Sequence, residues 1–322
     1  MTKRLRVAVT QGDAAGIGPE VLVKALAREE FRGLTRAIGC PETLAHEARR
    51  AGVAPPHEIV GIRWPGAGPP EAGKPSPDTG VHALACLRAA VRMARAGEVD
   101  GIVTGPVSKE MLGHAGVTHP GQTELLAEMT ETRQFLMTLV AGDLRVAVVT
   151  THVPIKRVAE LISIGAIVEK LRVLDGGLRE LFAIRRPRIA VLALNPHAGD
   201  GGRCGTEEAD VIAPAVREAA DKGIHVTGPL SADGAFATWE RERWDAILAM
   251  FHDQGLAPFK ARSFGRGVNV TLGLPLIRTS PDHGTAYDIA GRGTADDRSM
   301  TEAVRLALHM AAARRNTRRP SQ

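Results

Sequence analysis

Three apolar runs in this chain stop in the same way. Ala246–Ala249 leads through Met250 and Phe251 to His252, Val146–Val149 through Thr150 and Thr151 to His152, and Ile189–Leu194 through Asn195 and Pro196 to His197. Runs this short and this apolar suit strands buried on both faces, which belong to parallel sheets covered by helices. In an open α/β sheet, ligands bind beyond the carboxyl ends of parallel strands, so residues far apart in sequence can converge there. Three neutral imidazoles delivered in this way suit a divalent metal that keeps a position for substrate. Any one of these histidines alone reads equally as a strand cap or a partner of a backbone carbonyl. The threefold repetition is what points to a ligand set.

Composition narrows the class. With 322 residues, 44% hydrophobic and 24% charged, the chain lies in the ordinary globular range and has length for about two domains. Aromatic residues make up only 3%, so the core rests on Ala, Val, Leu and Ile, and a base-stacking nucleic-acid surface is not expected. The net charge of +5 owes part of its value to Arg314, Arg315, Arg318 and Arg319, expected in a polar tail that frays. Cys40, Cys86 and Cys204 are odd in number and form no CxxC pair, which excludes a disulfide framework and fits a reducing cytoplasm. The first residues carry too short an apolar run for a secretory signal, and no segment offers about 18 apolar residues in a row. No membrane partner is expected.

Taken in order, Leu5–Thr10 reads as a strand that turns through GDAAGIGPE into a helix, with Pro19 in the first turn and Glu20 at its positive end. Gly16 and Gly18 lack the third glycine of a dinucleotide fingerprint, and no Gly-Lys-Ser/Thr follows. Trp64–Thr79 is a Pro/Gly loop, after which Leu84, Leu87 and Val91 mark a helix face. Val99–Thr104 is the next strand, and Lys109 beyond it is an anion ligand or a solvated helix-start charge. Pro120–Glu124 opens a helix with Thr123 as a candidate N-cap. Phe135–Ala141 and Leu144–Thr150 flank Gly142-Asp143, a hairpin signal, so the sheet is mixed. The Asn195–Gly202 stretch has the glycines for close backbone approach to a ligand. Gly228–Asp233 reads as a loop after a short strand, with Asp233 a functional acid or a turn residue. Asn269 and Arg278 flank apolar residues in the manner of polar anchors on a rigid frame. Ala303, Leu306 and Met310 mark the closing helix.

The blocks GDAAGIGPE, TGPVSK, TTHVPI, NPHAGDGG, HDQGLAPFK, GRGVNVTLGLPLIRTS and DHGTAYDIAG, in this order, resemble the 4-hydroxythreonine-4-phosphate dehydrogenase family of pyridoxal phosphate biosynthesis. More remotely, the first and last look like loops of isocitrate and isopropylmalate dehydrogenases. The resemblance implies two α/β/α domains with a mixed sheet, 1–125 plus 270–322 and 126–269, the first carrying the cofactor loop. It implies a homodimer with shared active sites, and one divalent metal (zinc, magnesium or cobalt) on His152, His197 and His252. Substrate-binding positions match Thr123, Lys260, Asn269 and Arg278; Gln122 stands where the family usually has histidine. NAD or NADP is expected at His283, Gly284, Thr285 and Asp288. The reaction implied is oxidation of a small phosphorylated hydroxy acid followed by loss of a β-carboxylate, with Asp233 and Lys109 as candidates for proton transfer. Phosphorylated threonate or erythronate and cyclic diol dicarboxylates are alternative substrates. A metal-dependent lyase or hydrolase and a non-catalytic phosphate-metabolite binder are rivals of other classes.

Overall fold

The structure, a computed structural model, describes residues 4–119 and 121–317. The chain divides into two compact units, one running to Arg133 and resuming over Leu274–Ala312, the other holding Gln134–Gly273 and the chain from Ala313. The sequence placed the breaks at 125 and 269 and kept the whole C-terminus in the first domain; the backbone breaks a few residues later each time.

The first unit opens with β1 (Val7–Thr10), α1 (Gly18–Leu26), β2 (Thr35–Gly39), α2 (Pro41–Ala51), β3 (Ile59–Gly61), α3 (Pro77–Arg95), β4 (Gly101–Thr104), α4 (Lys109–His114) and α5 (Gln122–Met129). The second unit follows with β5 (Leu136–Ala141), β6 (Leu144–Val148), α6 (Val158–Leu161), α7 (Ile164–Phe182), β7 (Ile189–Leu192), α8 (Ala213–Asp221), β8 (Val226–Leu230), α9 (Ala232–Glu242), β9 (Ala246–Ala249), α10 (His252–Ser263) and β10 (Val268–Leu272). The chain then returns to the first unit with β11 (Ile277–Pro281) and α11 (Arg298–Thr317).

In the first unit the strand order is β3-β2-β1-β4-β11, every neighbouring pair parallel. Five strands therefore end at one edge, and the loops that leave them gather there. In the second unit the order is β10-β5-β6-β9-β7-β8, with the β10/β5 and β5/β6 pairs antiparallel and the rest parallel. The fold is mixed α/β. All residues of β1, β4, β7 and β9 are buried, as strands packed on both faces require.

Several local expectations change. The apolar run ending at Ala249 empties into a helix rather than a polar loop, because Phe251 is the extended N-cap of α10 and His252 its first residue. Gly228–Leu230 belongs to β8, and Asp233 lies in the first turn of α9. The N-cap of α5 is Gly121, so Thr123 lies inside the first turn; Pro120 is outside the described residues. Arg314 and Arg315 are helical, not part of a fraying tail, and Arg314 pairs with Glu180 at 2.9 Å; Arg318 and Arg319 lie outside the described residues. Leu306 is only half-buried, the closing helix instead burying Val304 and Ala307 beside Ala303 and Met310.

The core of the second unit gathers Leu139, Val146, Val148, Leu192, Ile247, Leu256 and Phe259 beneath the strands that carry the histidines. Phe259 is fully buried there. Replacing it by Ala should cost about 3–5 kcal/mol, the range for emptying a buried aromatic site. Urea unfolding of wild type and Phe259→Ala measures this, and a difference below about 1 kcal/mol would show that the site collapses around the smaller side chain.

Candidate active site

In the second unit, β6, β9 and β7 are adjacent and parallel, so His152, His252 and His197 leave the sheet at one edge. Polar side chains tie the three strand ends together. Thr150 donates its amide and hydroxyl to the Met250 carbonyl at 3.2 and 2.8 Å. Gln254 accepts the Met250 amide at 2.7 Å and donates to the Ala193 carbonyl at 2.6 Å, joining the ends of β9 and β7. Buried backbone groups must find partners where a ladder stops, and these side chains supply them.

Glu208 performs the same task for β7. Its buried carboxylate accepts the amides of Leu194 and Asn195, both at 2.8 Å, and the Asn195 side-chain amide at 3.0 Å. Burial opposes its charge, but the donors from Asn195 and Leu194 outweigh burial and leave its pKa below the ordinary carboxylate value. The segment it anchors is unusual: His197, Ala198, Gly199, Asp200 and Gly201 all have positive φ, from 43 to 81°. Such a left-handed turn costs about 1–2 kcal/mol for each non-glycine residue. Gly199 has no alternative, since a Cβ there would lie 2.7 Å from Glu208 Oε2.

The imidazoles of His152 and His252 stand with ring centroids 5.7 Å apart. His252 Nδ1 lies 2.7 Å from Asp253 Oδ1, the kind of carboxylate contact that fixes a tautomer and leaves Nε2 as the ligating atom. Among the described residues of one chain, no three His, Cys, Asp or Glu side chains are grouped to hold a metal ion. One chain thus brings together a histidine pair, not the full set of three. The Ser231 hydroxyl and the Gly234 amide, with the nearby His197 adding in the same direction, hold the exposed Asp233 carboxyl below the usual range. Lys260 is exposed on α10 and Asn269 half-buried on β10.

In the first unit, Arg278 on β11 is 3% exposed. Its Nε and Nη2 donate to the Thr104 hydroxyl at 3.1 and 3.0 Å, and Nη2 also donates to Gln122 Oε1 at 3.2 Å. The Gln122 amide nitrogen donates in turn to the Gly105 carbonyl at 3.0 Å. Burial lowers the Arg278 pKa to about 10 against the pull of Glu124, so the guanidinium remains a cation at neutral pH. Thr123 sits beside Gln122 in the first turn of α5, and exposed Lys109 follows Ser108, whose hydroxyl caps α4 through the Met111 amide at 3.3 Å.

The loop after β11 carries His283, Gly284, Thr285 and Asp288. It is stitched to GDAAGIGPE by the Ile17 amide on the Thr285 carbonyl at 2.9 Å. A Cβ on Gly16 would lie 2.7 Å from that same carbonyl oxygen, so the loops approach as closely as only glycine permits. The buried His283 Nε2 has no protein partner, a fit for a ligand that brings its own polar groups. Sequence reasoning missed Thr104, Glu208 and Gln254. All three bond backbone or neighbouring side chains, and no spacing rule marks such roles.

A mixed α/β protein that gathers ionisable side chains at the carboxyl ends of parallel strands carries them where such folds bind small ligands. The profile of the family described as pyridoxal phosphate biosynthetic protein PdxA matches residues 22–307. A 4-hydroxythreonine-4-phosphate dehydrogenase of Trichlorobacter lovleyi is 41% identical, covering 97% of this chain and 99% of its own. The crystal structure of a 4-hydroxythreonine-4-phosphate dehydrogenase from Klebsiella pneumoniae superposes with a TM-score of 0.86 at 37% identity, over 96% of this chain and 98% of that one. A terephthalate 1,2-cis-dihydrodiol dehydrogenase from Burkholderia xenovorans reaches 0.67 at 28% identity, over 95% and 98%. The chain belongs to the PdxA family, a family of dehydrogenases. The lyase, hydrolase and non-catalytic readings are thereby set aside.

Because the Glu208 carboxyl is more acidic in the folded chain than in the unfolded one, its stabilisation is complete above the ordinary carboxylate pKa and is lost as pH falls through the lowered folded value. Glu208→Gln should therefore lose about 2–4 kcal/mol at pH 7, the scale of hydrogen bonds to a charged acceptor less what the amide retains. Unfolding curves of both proteins from pH 7 to pH 3 should converge; an equal gap at every pH would place the effect outside ionisation.

Proposed function

We propose that the enzyme oxidises and decarboxylates 4-phosphooxy-L-threonine to 3-amino-2-oxopropyl phosphate with NAD or NADP, as a cytoplasmic homodimer in pyridoxal phosphate biosynthesis. The observation that carries this reading is the buried, hydrogen-bonded Arg278 cation at the strand edge of a chain that matches PdxA relatives over nearly its whole length. A guanidinium whose plane is fixed by Thr104 and Gln122 presents its donors in one direction, as planar recognition of phosphate or carboxylate requires. Lys260, Asn269 and Thr123 are the further substrate-binding positions that the family resemblance implies.

His152 and His252 of one protomer, with His197 of a second copy, are the residues that would hold a divalent ion such as zinc, magnesium or cobalt. That sharing agrees with the pair, rather than trio, found in one chain. Such an ion supplies Lewis-acid polarisation of the substrate oxygen, and the nicotinamide supplies the hydride acceptor. His283, Gly284, Thr285 and Asp288 form the segment on which the nicotinamide cofactor rests, with the His283 Nε2 atom available to it. Lys109, at the exposed start of α4, and Asp233, in the first turn of α9, are the candidates for moving the proton.

A second reading follows from the dihydrodiol dehydrogenase relative: a cyclic diol dicarboxylate, which also presents a hydroxyl-bearing carbon and an anion for Arg278. Gln122 bears on the choice. As a neutral side chain it holds Arg278 without exchanging protons, so oxidation of 4-phosphooxy-L-threonine does not need a histidine here. Purified protein supplied with NAD or NADP should form reduced nicotinamide from 4-phosphooxy-L-threonine, and a chelator should stop it. Turnover of phosphorylated threonate or erythronate, or of a cis-dihydrodiol dicarboxylate, with none of 4-phosphooxy-L-threonine would move the assignment to that substrate. Mixing inactive His197→Ala and His252→Ala proteins should restore part of the activity through hybrid dimers. No recovery, with subunit exchange verified, would contradict the shared site.

A further inference from the structure

The carboxylate of Asp13 is fully buried and accepts hydrogen bonds from three segments. Oδ1 takes the Ala15 amide at 2.9 Å, within the loop after β1. Oδ2 takes the Thr79 hydroxyl at 3.1 Å, from the first turn of α3, and the Tyr287 hydroxyl at 2.7 Å, from the loop after β11. The hydroxyls of Ser108 and Thr285 also reach the phenol, so one oxygen meets the loops that follow β1, β4 and β11. Tyr287 is the only tyrosine of the chain.

Among the described residues, no helix or strand lies between Pro281 and Arg298, the stretch that holds this loop. Its own backbone bonds run from Ile289 to Ala286 and from Arg292 to Ile289, both at 3.2 Å. Ala286, just before Tyr287, sits at φ +42°, where an L side chain crowds its own backbone. A segment kept in that state needs neighbours that over-determine it. The Ile17–Thr285 bond supplies one tie, and the Tyr287 hydroxyl supplies another, to a buried carboxylate that the Ala15 amide holds and the Thr79 hydroxyl meets.

We propose that Tyr287 is the positioning residue of the cofactor segment: by donating its hydroxyl to buried Asp13, it fixes His283–Asp288 in the shape that binds the nicotinamide dinucleotide. The inference rests on the reading of that segment as the cofactor site. Burial, and then Asp13 itself, raise the phenol above the ordinary tyrosine range, so the hydroxyl keeps its proton at neutral pH and remains a donor. Phenylalanine would fill the same space without a proton to give, and the cofactor would then have to order the loop as it binds. That cost falls on dinucleotide affinity rather than on the chemical step.

The test is a fluorescence titration of the whole enzyme with NADH and NADPH, for wild type, Tyr287→Phe and His283→Ala, together with steady-state kinetics of Tyr287→Phe. The expected result for Tyr287→Phe is a dissociation constant raised about tenfold, in line with loss of one hydrogen bond to a charged group. KM for the oxidised dinucleotide should rise in parallel, and kcat should change far less. Unchanged affinity in Tyr287→Phe with weakened binding in His283→Ala overturns the latch while leaving the cofactor segment in place. Unchanged affinity in both overturns the reading beneath it. Uniform labelling with 3-fluorotyrosine gives one fluorine resonance, and it tests the bond without changing the fold. A signal displaced from that of a solvent-exposed fluorotyrosine, and moved again by Asp13→Asn, supports the latch; one at the solvent-exposed position contradicts it.

Discussion

A guanidinium can be buried only where the fold provides acceptors for its donors, and Arg278 is the residue on which the first unit turns. Its charge is taken up by the Thr104 hydroxyl at the end of β4 and by Gln122 at the start of α5. Those partners are fixed in turn: Gln122 holds the Gly105 carbonyl, and the Gly105 amide rests on the Thr10 hydroxyl at the end of β1. A single buried cation is thereby linked to the ends of β4 and β1 and to the start of α5. Removing one partner of such a group costs far more than the net worth of the contact, because the other is left buried and unpaired. In the proposed reading, the same charge also meets an anionic substrate.

The second unit solves the matching problem with an anion. Glu208 holds the end of β7 through three donors, and the turn that follows is kept in a left-handed conformation from His197 to Gly201. Gln254 and Thr150 join the neighbouring strand ends. The segments that carry the histidines, the bend after β6, the left-handed turn after β7 and the first turn of α10, therefore start from strand ends that these side chains fix. Among the described residues, His152 and His252 are the two histidines whose rings meet.

Much of the fold was legible because burial writes a short-range signal. The apolar runs that became β7 and β9 and the Gly142-Asp143 hairpin all depend on neighbours in sequence. That the three histidines follow apolar strands could be read for the same reason. What lay beyond reach was contact between distant segments. The bond from Tyr287 to Asp13 and the bond from Gln254 to the end of β7 leave no periodic trace. The start of α10 at His252 was hidden because its N-cap is Phe251, which carries no capping oxygen. Asp233 looked like a loop acid because Gly228-Pro229 signals a turn, yet those residues continue β8.

The central claim is that Arg278 is the anion anchor of the active site, held ready by Thr104 and Gln122. Isothermal titration of 4-phosphooxy-L-threonine into wild type and Arg278→Lys tests it most directly, because lysine keeps the charge and removes the planar fork. The account predicts at least about a tenfold loss of affinity, the consequence of forfeiting a charge-assisted hydrogen bond, with the thermal unfolding transition still cooperative. Equal affinity in the two proteins would contradict it.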